Sequence, residues 1–257
     1  MQKYFMLRVK NLFNHLHDFE LKGDDVSLHD FRVELKKLRS IIKFLRNIYP
    51  KQQLKKAAHV VRNIFQKAGE IREQQLMQQW LMKYSFTIVE TIFFPSGKLN
   101  ETIEAFRNNA DEHKAHLKEV VEQISEFVNR TNEILAEQYF AELNANVENL
   151  CRKNLPQSEW HELRKLIKQR IYAYNWVLHE DENDDPSFSY FHKLQETIGQ
   201  WHDFEIIKDT FSQKQIFLSL DIEVQKEFSQ VWEKINFLKK QKEKQIDELL
   251  DRETISN

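Results

Sequence analysis

The sequence predicts an all-α protein made of two related helical halves. Only 4 Gly and 4 Pro punctuate 257 residues, so turns are few and helices long. Charged residues make up 30% of the chain, rich in Glu and Lys with Gln alongside, all tolerant of exposed helix positions. Blocks of sequence also recur in the same order in the two parts of the chain.

Taken in order, Pro50, Pro95, Pro156 and Pro186 mark natural breaks. Between them we expect helices near 3–19, 27–49, 51–83, 99–130, 132–152, 157–179, 187–211 and 221–250. The segment 84–94 is rich in β-branched and aromatic residues. No second strand is in evidence to pair with it, so it reads as a buried helix end. Residues 180–185 read as a solvated acidic loop, and 253–257 as a frayed tail. The chain reads as one domain over 1–257, with a first half of about 1–130 and a second of about 132–250. Phe and Trp, 19 and 5 in number, supply much of the core's bulk.

The repeat is specific. His29-Asp-Phe-Arg32-Val-Glu-Leu-Lys36 resembles His161-Glu-Leu-Arg164-Lys-Leu-Ile-Lys168. Each block opens a long helix and is followed by a proline, then by a lone glycine in a helical context, Gly69 or Gly199. Duplicated halves suggest a pseudo-twofold molecule with a groove or channel where the halves meet.

The expected helix 27–49, with Ser27 as its N-cap, carries the chemistry. His29, Arg32, Lys36, Arg39, Lys43 and Arg46 fall within an arc of about 100°. Leu28, Phe31, Leu35, Leu38, Ile42 and Leu45 cover the opposite side. No carboxylate interrupts the basic row, although like charges at this spacing repel. The missing counter-charge is either an external anion or acids from another helix. In the second half His161, Arg164 and Lys168 share a face, with Lys165 nearby. The next positions are Ile171 and Asn175, and Arg170 is turned towards the apolar side, so this half should contribute less charge. The net charge of −2 means that any anion site arises from local segregation of charge.

Together these boxes make the chain similar to the CHAD family, the conserved histidine α-helical domain. The resemblance rests on His29, Arg32, Lys36, Lys37 and Arg39, and on the second box from His161 to Lys168. It rests also on Leu194, Gln195, Gly199, His202 and Asp203, with Gly69, Arg72 and Glu73 as the first-half counterpart. Glu73 stands where the family usually has Asp, and Ile171 where it usually has a base. The resemblance implies two pseudo-twofold-related four-helix bundles with a basic channel. It implies binding of inorganic polyphosphate and association with polyphosphate granules. The ligands it implies are His29, Arg32, Lys36, Arg39, His161, Arg164 and Lys168. Lys43 and Arg46 extend the row on geometric grounds. Arg72 and His202 either line the channel or orient their neighbours. Gly69 and Gly199, each costing about 1 kcal/mol against Ala in a helix, suggest close helix–helix approach.

Other functions are less well served. His17-Asp18, His29-Asp30 and His202-Asp203 invite a metal-dependent phosphohydrolase reading. Adjacent helical residues point about 100° apart, however, and no chelating spacing is present. We therefore expect no enzyme, metal or cofactor. Nucleic acid would call for aromatics among the bases of the row, and only Tyr172 and Trp176, near the second row, hint at this. A scaffold that binds an acidic protein partner remains open. A single cysteine, Cys151, rules out an intrachain disulfide and fits a reducing compartment. No signal-peptide or membrane-spanning run is present, so a cytoplasmic protein is expected.

Overall fold

The computed structural model describes residues 1–95, 97–177, 187–212 and 221–251. The expected acidic loop and C-terminal tail lie outside them. The described residues form ten α-helices and no strand. They are α1 (Gln2–Lys22), α2 (Asp25–Ile48), α3 (Gln52–Lys83), α4 (Thr87–Phe93) and α5 (Lys98–Asn108). After these come α6 (Ala110–Arg130), α7 (Glu133–Leu150), α8 (Gln157–Val177), α9 (Phe188–Ser212) and α10 (Ile222–Leu250).

The chain folds as two compact units. The described part of the first covers 1–80, 94–139 and 176–177; that of the second covers 81–93, 140–175, 187–212 and 221–251. In the first unit, α1 packs along α2, and both meet α6. Leu12, Leu16 and Phe19 of α1 and Leu28, Phe31, Leu35, Leu38 and Leu45 of α2 are almost wholly excluded from solvent. Phe106 of α5 packs edge-on against both Phe19 and Phe31. In the second unit, α9 lies along α10, and α4 also meets α10. Its core joins Trp160, Leu163, Ile167 and Ile171 of α8 to Leu194, Ile198 and Trp201 of α9 and to Ile246 and Leu249 of α10. Trp160 and Trp201 meet edge to face at 5.1 Å. Cys151 is buried in the same cluster, and that burial pushes its thiol up to about 12.

Local chemistry sets the helix ends. Gly23 closes α1 in the left-handed region (φ 65°), donating its N–H to Phe19 O. Asp24 then caps α2, accepting the Ser27 N–H at 2.7 Å. The cap is therefore Asp24, not Ser27. Ser27 lies in the first turn and donates its own hydroxyl to the same carboxylate. The expected single helix over 99–130 is broken at Asn109. The Asn109 backbone N–H turns to Phe106 O, and its side-chain amide donates to Ala105 O at 2.7 Å. Residues 84–94 do not continue α3. The chain turns at Ser85 (φ 59°) and re-forms as α4. Phe93 of α4 packs against Phe211 and Phe228 of the same unit, so burial, not strand pairing, explains the aromatic content of the segment.

Candidate functional site

The α2 helix is amphipathic enough to fix which way its bases point. Its Leu and Phe face is buried in the first unit, and His29, Arg39, Lys43 and Arg46 are exposed. Arg32 and Lys36 are half-buried, because α3 lies beside that part of the row. The Arg32 guanidinium donates to the backbone carbonyl of Phe65 at 3.0 Å and rests over the Phe65 ring at 4.3 Å. Arg39 rests over the same ring at 4.7 Å, and the Lys36 ammonium lies 6.0 Å from its centroid. Gly69, one turn on from Phe65, makes room for this arrangement: a Cβ there would stand 2.9 Å from an Arg32 guanidinium nitrogen.

The second unit repeats the construction. Arg164 of α8 donates to the backbone carbonyl of Gln195, four residues before Gly199. A Cβ on Gly199 would stand 3.0 Å from the Arg164 guanidinium. The glycines therefore do not serve a general close approach of helices. Each opens a seat for the arginine of the matching His-x-x-Arg box. Beside this seat, the His161 and His202 ring centroids lie 4.5 Å apart, with the rings tilted by 46°. The buried His161 Nδ1 has no hydrogen-bond partner among the described residues.

Burial and mutual repulsion weaken the proton affinity of these groups. His29 is exposed as a residue, but partial desolvation of its ring first, then Arg72 and Lys36, lowers it. Burial lowers His161, with His202, Lys165 and Arg164 adding to the effect. Burial and then Arg164 lower His202, against the pull of Glu205 and Asp209. Lys168 is pushed down to about 8, by burial first and by Arg164 second, with Asp203 opposing. Arg32 falls to about 10 by burial, opposed by Glu73 and reinforced by Arg72 and Arg39. Burial also lowers Arg164, and partial desolvation of the otherwise exposed Arg39 guanidinium, which rests on Phe65, lowers Arg39, with Arg62 adding to the shift.

The family model of the CHAD domain matches residues 7–212. The chain belongs to the CHAD family. The crystal structure of the CHAD domain from the plant Ricinus communis is similar to it at a TM-score of 0.66. The match covers 99% of this chain and 92% of that one, at 14% identity, a likeness of fold. Curated proteins give no significant match.

Within this CHAD chain, the remaining expected site residues fall into different settings. Arg72 follows Gly69 on α3, is half-buried, and approaches Asp25 at 4.0 Å. Lys37 is turned away from the row and pairs with Glu34 at 3.1 Å. Glu34 is itself buried and also holds Arg8. Lys165 is exposed and paired with Glu162 on its own helix. Ile171, read as the next position of the second row, belongs to the core of its unit. Arg170 is buried as expected. It donates to Asn144 Oδ1 at 2.8 Å and to Ser187 Oγ at 2.9 Å, with Phe191 beneath it.

On α3, the sequence pointed to Gly69 and Arg72 but not to Phe65 and Arg62. Phe65 is an aromatic under the cationic row, where none was expected, and Arg62 adds charge beside Arg39. The signal was present in the spacing: residues 62, 65, 69 and 72 share one face of a helix. Among the described residues, no group of three or more His, Cys, Asp or Glu is placed to hold a metal ion. No described helix is long and apolar enough to cross a membrane.

Proposed function

We propose that this CHAD protein is a non-catalytic binding domain for inorganic polyphosphate. His29, Arg32, Lys36, Arg39, Lys43 and Arg46 of the first unit, with Arg72, form one phosphate-binding row. His161, Arg164, Lys168 and His202 form a shorter one, in keeping with the duplication read from the sequence. Lys37 and Lys165 flank the rows and are engaged by neighbouring carboxylates, so they would join only by exchanging Glu34 and Glu162 for phosphate. A cytoplasmic setting at polyphosphate granules belongs to the same reading.

One observation carries the proposal. Each unit seats the arginine of its His-x-x-Arg box against a backbone carbonyl beside a glycine, and burial there, with like-charged neighbours at most of the groups, holds Lys168, Arg32, Arg39, Arg164 and three histidines below their ordinary proton affinities. A bound anion would oppose that shift by favouring the charged form of each group. Polyphosphate suits the rows better than nucleic acid does. The aromatic ring among the bases, Phe65, already packs against two guanidinium groups and is not free to stack on a base.

The test is a titration of long-chain polyphosphate, single-stranded nucleic acid and heparin at one salt concentration. Polyphosphate should bind most tightly. Preference for nucleic acid would overturn the choice of ligand. Binding of none of the three would favour an acidic protein partner.

A further inference from the structure

The α2 row continues past Arg39 through Lys43 and Arg46 to the last turns of the helix. The chain then reverses at Tyr49 and Pro50, with the Lys51 N–H donating to Tyr49 O at 2.7 Å, and enters α3. At this corner Lys43, Arg46, Asn47, Pro50, Lys51 and Lys55 line a pocket of about 440 Å³. Four of the six carry positive charge, and no carboxylate is among the lining residues described. Lys51 and Lys55 belong to neither motif box and were not expected to contribute.

The corner differs from the row in shape and charge density. Along α2, successive bases are three or four residues apart, an axial rise of about 5 Å per charge. That spacing is longer than the phosphate-to-phosphate repeat of a linear chain, so a chain laid lengthwise would offer each base more than one singly charged internal phosphate. At the corner two helices converge, and four cations surround one concavity. A terminal phosphate carries about −1.5 to −2 at pH 7, more than any internal unit. The opening turn of α3 adds the positive end of a helix dipole on the same side.

We propose that this pocket takes the terminal phosphate of a polyphosphate chain lying along α2, so that the domain recognises chain ends. The inference rests on the polyphosphate reading above. It is tested with linear polyphosphate of one length, either with free ends or with both ends capped as neutral-amine phosphoramidates, which removes charge from each terminus. Wild-type protein should bind the free-ended chain several-fold more tightly. Lys51→Ala/Lys55→Ala should abolish that preference and leave affinity for the capped chain unchanged. Both lysines are exposed, so the variant should fold. Lys51→Arg/Lys55→Arg should keep the preference. Equal binding of the two chains by wild type would overturn the inference, as would an equal loss for both chains in the alanine variant. Failure of both chains to bind wild type would instead overturn the polyphosphate reading itself.

Discussion

A Cβ on Gly69 would strike the Arg32 guanidinium, the far end of a flexible side chain. The arginine can move aside, so Gly69→Ala should leave the fold intact. Helix propensity should even offset part of the lost hydrogen bond, by about 1 kcal/mol. The displaced guanidinium should nonetheless weaken polyphosphate binding, and Gly199→Ala should act likewise through Arg164. Thermal melts with binding titrations check this: unchanged affinity in both variants would show that the seats do not position ligand. Histidine protonation gives a second residue-level prediction. His29, His161 and His202 have lowered folded-state proton affinities. The unfolded chain therefore binds more protons once pH drops below about 6.5, and the free protein should lose stability on acidification. Bound polyanion favours the protonated rings, so affinity should rise over the same interval and flatten in His161→Gln/His202→Gln. Lys168, at about 8, gives the alkaline counterpart: binding should weaken as pH climbs through 8, and Lys168→Arg should remove that limb. Isothermal titration in buffers of different ionisation enthalpy reports the proton uptake directly.

Among the helices, α2 was legible in the sequence because its two faces differ in kind: leucine and phenylalanine on one side, bases on the other. The cap was misplaced because Asp24 lies outside the hydrophobic repeat used to find the start. The break at Asn109 has no Pro or Gly to announce it. It depends on one side-chain amide taking a backbone carbonyl. Ile171 was misread because α8 carries its row over a single heptad. Ile171 lies about 20° from Arg164 but also about 40° from Ile167 around the helix, and only packing decides between the two. The place of Ile171 in the core sets the outcome of adding charge there. Ile171→Arg should place an unpaired cation in the core and cost about 3 kcal/mol or more, visible as a large fall in Tm. Arg39→Ala and Arg170→Ala should separate cleanly. The first should cost affinity with little change in Tm. The second should cost about 2–4 kcal/mol of stability, because Asn144 and Ser187 lose a buried charged partner.

For the molecule as a whole, the helical class and the duplicated boxes were legible because they rest on composition and spacing. The α3 and α9 carbonyls that hold Arg32 and Arg164 were not. Backbone acceptors have no sequence signature, and a glycine shows that something approaches, not what. Charge-led binding by about six to eight cations should give a slope of log affinity against log salt of roughly −4 to −6, by analogy with single strands. A slope near zero in a salt series would remove counterion release as the driving force. Cys151 has a consequence of a practical kind. Buried, and with its thiol held up at about 12, it should stay silent towards maleimides in the folded protein. A cysteine introduced on the exposed side of α2, for instance at Asn47, would then be the one position to take a dye. The native sequence is thus already a labelling scaffold, in which a single fluorophore beside the basic corner could report polyanion arrival in real time.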